Sequence, residues 1–283
     1  MKDQYAVIGN PIEHSKSPWI HAKFAAQTGE PVEYGRILGP LGGFEREVRQ
    51  FIASGGRGMN VTVPFKLDAH AFADSLSPRA AAAGAVNTLA FGPDGVRGDN
   101  TDGVGLVRDI EVNLGVSLKG ARILLLGAGG AARGVVLPIF DRAPAALTIV
   151  NRTAAKAHQL VDQFAQNAAD CGVRFSGGGA DSGGIVDSGC YDVIVNATAG
   201  SLDAALPDCD DGAFGANTLA YDMMYGAQPT VFMQHATKLG ARASDGLGML
   251  VEQAAESFFI WRGVRPDGGA VLRELRQMLA AKA

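Results

Sequence analysis

The stretch Ile123-Leu124-Leu125-Leu126-Gly127-Ala128-Gly129-Gly130-Ala131-Ala132 decides how the rest of the chain is read. Its uninterrupted apolar run describes a strand buried on both faces, the habit of a parallel sheet covered by helices. The run breaks into Gly127-x-Gly129-x-x-Ala132, which fits the dinucleotide fingerprint G-x-G-x-x-G/A. The chain must turn tightly there, let a pyrophosphate approach the backbone, and start a helix packed against the sheet. Each task tolerates at most a small side chain. The helix N-terminus adds unpaired N–H groups and a partial positive charge. Any strand–glycine–helix turn can imitate the pattern. Here a helix to about residue 140 and a second strand, Leu147-Thr148-Ile149-Val150, follow at the spacing a Rossmann-type unit needs.

The end of that second strand bears on which dinucleotide fits. NAD sites usually place Asp or Glu there to hold the ribose 2′-hydroxyl. This chain carries Asn151-Arg152-Thr153, with Lys156 one helical turn beyond. A carboxylate would repel a 2′-phosphate, whereas an arginine grips one and stacks on adenine. The blander reading makes Arg152 and Lys156 solvated residues opening an exposed helix, but cations there oppose the helix dipole. The expected cofactor is NADP.

Outward from this centre, short β-branched runs alternate with longer helical patterns, so the fold class is α/β with parallel strands. Tyr5-Ala6-Val7-Ile8 reads as a strand stopped by Gly9-Asn10-Pro11. Ser17-Pro18 reads as the N-cap and first-turn proline of a helix to about residue 27. Arg36-Ile37-Leu38 is a second strand, residues 44–54 a helix, and Met59-Asn60-Val61-Thr62-Val63 a strand ended by Pro64. A further helix and a short strand over residues 85–91 complete this part. Toward the C-terminus, Asp192-Val193-Ile194-Val195 reads as a strand. Helices follow over about residues 248–261 and from Asp267 onward. The glycine-rich residues 176–184 have no apolar strand leading into them, and read as a loosely ordered surface loop or distorted edge element. At 283 residues the chain suits two domains.

A net charge of −4 excludes a general nucleic-acid or membrane surface, so any bound anion needs a local pocket. Cys171, Cys190 and Cys209 are odd in number and form no C-x-x-C pair, and the histidines are scattered. Neither a disulfide framework nor a metal site is expected, and a reducing cytoplasm is the expected setting. No signal-peptide pattern or membrane-length apolar run is present.

The segment Gly9-Asn10-Pro11-Ile12-Glu13-His14-Ser15-Lys16-Ser17-Pro18 sets two hydroxyls, Ser15 and Ser17, beside a helix N-terminus. Such a loop can hold a carboxylate by charge-assisted hydrogen bonds, and it fits a capped helix equally well. Lys66 alone reads as a surface lysine after a proline turn, and Asp102 in Thr101-Asp102-Gly103 as a helix cap. Further segments follow in order: Asn60-Val61-Thr62-Val63-Pro64-Phe65-Lys66, Gly84-Ala85-Val86-Asn87-Thr88 and Gly98-Asp99-Asn100-Thr101-Asp102-Gly103. After the glycine loop come Tyr221-Asp222-Met223-Met224-Tyr225 and Asp245-Gly246-Leu247-Gly248-Met249-Leu250 with Gln253. Together these segments resemble the shikimate/quinate dehydrogenase family along nearly the whole chain.

The resemblance implies reversible hydride transfer between NADPH and the 3-oxo group of 3-dehydroshikimate, giving shikimate. Ser15 and Ser17, with Tyr225, would hold the substrate carboxylate. Asn60, Thr62, Asn87, Asp102 and Gln253 would hydrogen-bond ring hydroxyls. Lys66 would be the acid/base and Asp102 its positioning partner. A lysine suits that task because desolvation lowers an ammonium's pKa while a neighbouring carboxylate favours its charged form. Gly127, Ala128, Gly129, Gly130, Ala131 and Ala132, with Asn151, Arg152, Thr153 and Lys156, would hold the adenosine and phosphates. Thr198, Met223 and Gly246 would lie near the nicotinamide. The implied domains are a substrate domain of residues 1–101 plus 239–283 and an inserted NADP-binding Rossmann domain of residues 102–238, with the reaction in the cleft between them. The partners are small molecules, and a monomer or a homodimer is compatible.

One stretch departs from the family. After Asn196-Ala197-Thr198 the chain reads Ala199-Gly200-Ser201-Leu202-Asp203, where relatives carry a serine- or proline-containing turn ending in Gly-Met. Competing readings are a quinate/shikimate dehydrogenase using NAD, opposed by Arg152, and a catalytically silent ligand sensor, opposed by the joint retention of Lys66 and Asp102. A methylenetetrahydrofolate dehydrogenase would leave Ser15 and Ser17 unexplained.

Overall fold

A computed structural model describes residues 2–179, 189–198 and 205–281. Among these, strands form two six-stranded sheets. The chain divides into two compact units, Met1–Gly105 with Leu250–Gln277, and Leu106–Met249 with Met278–Ala283.

The first unit contains β1 (Asp3–Gly9), α1 (Ser17–Thr28), β2 (Val32–Leu38), α2 (Phe44–Ala53) and β3 (Gly56–Val61). It continues through α3 (Lys66–Phe72), β4 (Ser75–Leu76), α4 (Pro78–Ala83), β5 (Thr88–Gly92) and β6 (Gly95–Asp99). The strand order is β2-β1-β3-β5-β6-β4. β1 is parallel to β2 and β3 and β4 to β6, as expected, but β5 runs antiparallel to β3 and β6, so this sheet is mixed and the expectation of parallel strands fails only at β5. The cause is a hairpin closed by Gly92-Pro93-Asp94-Gly95, turn residues that follow the strand read at 85–91. Its second strand, Gly-Val-Arg-Gly-Asp, is too poor in β-formers to announce itself. The core joins Ile8, Met59, Val61 and Leu89 of the sheet to Phe44, Val48 and Phe65. Each such side chain, fully buried, contributes about 1.5–3 kcal/mol.

Two local expectations are also corrected. Ser17 does not cap α1; it is the first helical residue, after Lys16, which makes no side-chain cap. The hydroxyl of Ser15 instead accepts from the Ser17 N–H at 3.3 Å. The strand expected over residues 59–63 ends at Val61, because the chain turns at Thr62, whose carbonyl accepts from the Phe65 N–H at 3.0 Å.

Helix α5 (Asp102–Arg108) leads the chain from the first unit into the second. There β7 (Arg122–Leu126), α6 (Gly130–Phe140), β8 (Ala146–Val150), α7 (Ala154–Cys171) and β9 (Arg174–Gly178) follow in turn. After them come β10 (Val193–Asn196), β11 (Leu219–Asp222), α8 (Val231–Lys238) and β12 (Arg242–Ser244). Helix α9 (Leu247–Arg262) starts in this unit and continues in the first, followed by α10 (Gly268–Ala280). The order β12-β11-β10-β7-β8-β9 is parallel throughout. Leu124, Leu126, Val150 and Ile194 are buried, as the apolar runs require. Residues 174–178, which overlap the segment read as a loop or a distorted edge element, are the edge strand β9, while residues 180–188 lie outside the described residues. Among the described residues, no helix is long and apolar enough to cross a membrane.

After α5 the helix widens into a π-helical turn, Asp109–Asn113. Asp109 is buried and accepts from the Tyr221 hydroxyl at 2.6 Å. Burial, followed by the charge of Asp109, pushes the Tyr221 phenol well above its usual range. A β-carbon at Gly248 would overlap the Asp109 carboxylate. Gly248→Ala is therefore expected to cost about 1–3 kcal/mol by overpacking. The thermal midpoint should fall by about 2–4 °C per kcal/mol, and an unchanged calorimetric midpoint would refute the packing argument.

Candidate active site

The hairpin determines what meets at one edge of the first sheet. β1 ends at Gly9 and β3 at Val61, and the loops beyond them run side by side: the Asn10 N–H donates to Val63 O and the Thr62 N–H to Ile8 O, both at 3.0 Å. A β-carbon at Gly9 would come within 2.5 Å of the Thr62 Cγ2 methyl, so glycine permits this approach. Because β5 is antiparallel, it begins where β3 ends, and β6 ends there too. The Val61 N–H donates to Asn87 O at 2.8 Å, and the Asn87 N–H to Asp99 O at 3.0 Å. Asn60, Thr62, Lys66, Asn87 and Asp102 are thus delivered to one edge. Helix α9 adds Gln253 and Ser257, which share a face at i and i+4.

Lys66 Nζ donates to Asp102 Oδ2 at 2.6 Å, and Asn87 Nδ2 donates to Asp102 Oδ1 at 2.8 Å. The carboxylate is held on both oxygens, and its own N–H donates to Asn100 Oδ1 at 3.1 Å. The side chain of Lys66 is 32% exposed, enough for a ligand to reach the ammonium without displacing the pair. A proton donor with a fixed carboxylate behind it and an open side in front is what acid–base catalysis at a carbonyl needs.

The neighbouring side chains form a dense polar cluster. Asn60 Oδ1 accepts from the Tyr34 hydroxyl at 2.7 Å. Asn60 Nδ2 faces Asn87 O, Thr88 Oγ1 and Ser257 Oγ. Asn87 Oδ1 accepts from the Thr101 N–H at 2.9 Å. Gln253 Oε1 accepts from Thr101 Oγ1 at 3.2 Å, and its Nε2 donates to Leu250 O at 2.9 Å. The loop bearing Ser15 is pinned by Arg36, which donates to Ser15 O at 2.7 Å. Tyr34, Thr88, Thr101 and Ser257 were not singled out by sequence reading. Thr88 and Thr101 lie inside motifs that were recognised, and the i, i+4 spacing of Ser257 from Gln253 was a usable signal. For Tyr34 the sequence held none.

In the second unit the switch of strand order falls between β7 and β10, where open parallel sheets bind ligands. Gly127 turns there with φ +107°, and a β-carbon on it would press on Thr198 Cγ2 and the Ala197 backbone. Among the described residues no atom lies near the missing β-carbons of Gly129 and Gly130, so packing does not demand glycine there and the space beside the backbone is open. No side chain caps the α6 N-terminus, which leaves its N–H groups free to meet an anion. A cavity of about 410 Å³ opens here, lined by Gly127, Asn151, Arg152, Thr153, Lys156 and Thr198, with Leu206 and Asp208 on its wall. The first turn of α7 holds no acid, so the cavity's residues fit a dinucleotide bearing an extra phosphate. Two predicted contacts are already committed internally: Asn151 Nδ2 donates to Thr153 O, and Thr198 Oγ1 donates to Asn196 Oδ1. Met223 and Gly246 adjoin, because a β-carbon on Gly246 would overlap the Met223 carbonyl. Tyr225 is 40% exposed in this unit, and burial of its remainder with the charge of Asp245 raises its phenol. Of the segment departing from the family, Ala199 to Asp203 lie outside the described residues. A larger hollow of about 620 Å³, lined by Asp3, Arg57 and Trp261, gathers none of the predicted residues.

A mixed-sheet unit bearing a lysine–carboxylate pair, joined in one chain to a parallel Rossmann-type unit, defines a two-unit nucleotide-binding α/β class. Known families narrow it. Residues 7–89 match the shikimate dehydrogenase substrate binding domain, residues 110–173 the shikimate/quinate 5-dehydrogenase model, and residues 246–276 the shikimate 5′-dehydrogenase C-terminal domain. The chain belongs to the shikimate dehydrogenase family. It is 57% identical over 280 residues to the shikimate dehydrogenase (NADP(+)) of Aromatoleum aromaticum, covering 98% of both chains. It is 55% identical over 281 residues to that of Cupriavidus necator, covering 99% of this chain and 95% of the relative. The crystal structure of the Thermus thermophilus shikimate 5-dehydrogenase in complex with NADP(H) and shikimate superposes with a TM-score of 0.82 at 29% identity, covering 98% of this chain and 99% of that one.

Behind this edge His21 is fully buried, stacked on Tyr34 with ring centroids 4.1 Å apart, and neither ring nitrogen has a hydrogen-bond partner among the described residues. Burial lowers its pKa to about 3, against a smaller opposing pull from the nearby Asn60 side chain, which lies outside hydrogen-bond geometry. The native state therefore refuses a proton that the unfolded chain accepts below about pH 6.5, so stability present above that pH is lost as pH falls toward 3. The loss between pH 6.5 and 5 should be about 1.6 kcal/mol, since the full slope of about 1.4 kcal/mol per pH unit is reached only below the unfolded pKa. Urea titrations across that window should show a shallower slope for His21→Phe; parallel slopes would remove His21 as the cause.

Proposed function

We propose that this chain is an NADP-dependent shikimate dehydrogenase, interconverting 3-dehydroshikimate and shikimate. The observation that carries the reading is Lys66 Nζ at 2.6 Å from Asp102 Oδ2 in a chain of this family. Under this reading Met1–Gly105 with Leu250–Gln277 takes the substrate and Leu106–Met249 takes the cofactor. NADPH, when bound, supplies the hydride for the 3-oxo carbon. Lys66 gives its proton to the oxygen as the alkoxide develops, and recovers one from the hydroxyl in the oxidative direction. Asp102, steadied by Asn87, aims that ammonium and holds the reacting hydroxyl. Ser15, Ser17 and Tyr225 hold the substrate carboxylate, while Asn60, Thr62, Asn87 and Gln253 address the ring hydroxyls. Arg152 and Lys156 supply the charge for a 2′-phosphate, Gly127 to the α6 N-terminus cradles the pyrophosphate, and Thr198, Met223 and Gly246 flank the nicotinamide. The reducing cytoplasm suits such an enzyme.

The direct test follows NADPH absorbance while shikimate and quinate are each offered with NADP and with NAD. Shikimate with NADP should be turned over fastest, and absence of NADP-linked turnover would leave the ligand-sensor alternative standing. Lys66→Ala should lower turnover roughly 10²-fold or more while ligand affinities stay within about tenfold. Near-normal turnover in that variant would end the acid–base role. Arg152→Ala should raise the KM for NADP by about tenfold or more and leave that for NAD nearly unmoved, since only NADP carries the phosphate.

A further inference from the structure

The carboxamide of Asn60 has less to offer a ligand than its place suggests. Its Nδ2 carries two hydrogens and meets three acceptors inside the protein: Asn87 O at 3.2 Å, Thr88 Oγ1 at 3.2 Å and Ser257 Oγ at 3.0 Å. Its Oδ1 accepts from the Tyr34 hydroxyl, and an amide oxygen has two lone pairs. The second lone pair on Oδ1 is what remains, since the nearby His21 ring makes no hydrogen bond of normal geometry among the described residues. Turning the amide over would set Oδ1 against the Asn87 carbonyl with no hydrogen between them, so the backbone fixes which end is which. Ser257 gives its own hydrogen to Gln253 O at 3.0 Å, leaving its oxygen to accept from Asn60. Tyr34 is held by its stack on His21, whose ring makes no hydrogen bond that competes for the phenol.

We propose that Tyr34 and Ser257 are positioning residues for substrate selection, locking Asn60 so that it presents only an acceptor and reads a ring hydroxyl as a donor. The proposal rests on shikimate being the substrate. An acceptor-only contact prefers a hydroxyl over a group of similar size that cannot donate, such as an alkyl fluoride, because the buried oxygen is otherwise left unpaired.

Wild type comes first, with shikimate and with analogues carrying fluorine at each non-reacting ring hydroxyl. Failure to turn over shikimate would remove the proposed function and this inference together. Given turnover, one ring position should show a hydroxyl-over-fluorine preference on the order of 10²-fold in kcat/KM. Ser257→Ala removes the nearest of the three acceptors around Asn60 Nδ2 and leaves the amide less firmly oriented, so the preference at that position should shrink by about threefold or more. Tyr34→Phe should raise the KM for shikimate about three- to tenfold, with kcat within about twofold and the KM for NADP unmoved. A merely structural role would move both ligands together. An unchanged fluorine preference in a folded Ser257→Ala, or equal shifts for both ligands in Tyr34→Phe, overturns the proposal. If Ser257→Ala does not fold, the split in Tyr34→Phe decides alone.

Discussion

A carboxylate that leaves bulk water needs a donor for each oxygen, and Asp102 organises the first unit around that need. Lys66 serves one oxygen and Asn87 the other. Both arrive from sequence positions far from residue 102, so the requirement becomes one of topology. β3 must end beside the start of β5 for Asn87 to face Asp102, and β6 must return to the same edge to release Asp102 there. An all-parallel sheet would begin β5 at the opposite edge and strand Asn87 there. The residues between also interlock, with the Thr101 N–H on Asn87 Oδ1 and the Asp102 N–H on Asn100 Oδ1. The backbone that presents the acid is thus tied to the amide that steadies it.

A second layer of charge stands behind the first. Asp99, at the end of β6, accepts from Ser77 Oγ at 2.6 Å, from Arg79 through two nitrogens, and from the Asn100 N–H at 2.7 Å. Arg79 also donates to Glu256 of α9, which Arg265 bonds as well. Buried ions are tolerated only when paired on every side, and removing one member would leave its partner as an uncompensated charge. The network joins α4, β6 and α9, the elements that carry the neighbours of Asp102 and Ser257. It fixes Asp99 three residues before Asp102, and Glu256 one before Ser257.

This division explains what the sequence disclosed. The glycine turn and the β7 and β8 strands were legible because their cause is local: a buried parallel strand must be apolar, and the turn after it must lack side chains. Family motifs carried Lys66, Asp102 and the amides. The hairpin was hidden because Gly95, Arg97 and Gly98 make a strand that forms only by pairing with β5 and β4. Ser17 as a cap failed because Ser15, one turn of loop earlier, reaches its N–H first. Tyr34 stayed invisible because its partner Asn60 lies two strands away across β1, a relation that only register supplies.

The two units meet the problem of binding anions from an acidic chain in different ways. In the second, little need be prearranged beyond space and charge: Gly127 and the exposed Arg152 and Lys156 line a cavity, and the bare glycines of the α6 N-terminus follow Gly127 in the chain. Long exposed side chains there lose rotamer freedom only when a phosphate orders them, a cost the full charge of the ligand must offset. In the first unit the side chains of Asn60, Asn87, Asp102 and Gln253 are already bonded within the protein, so ligand arrival orders them little. Under the proposed function, the valences left over there include the open side of Lys66 and the second lone pair of Asn60 Oδ1. A site satisfied in advance binds few groups but holds them in one geometry, which is what proton transfer over a hydrogen-bond length requires.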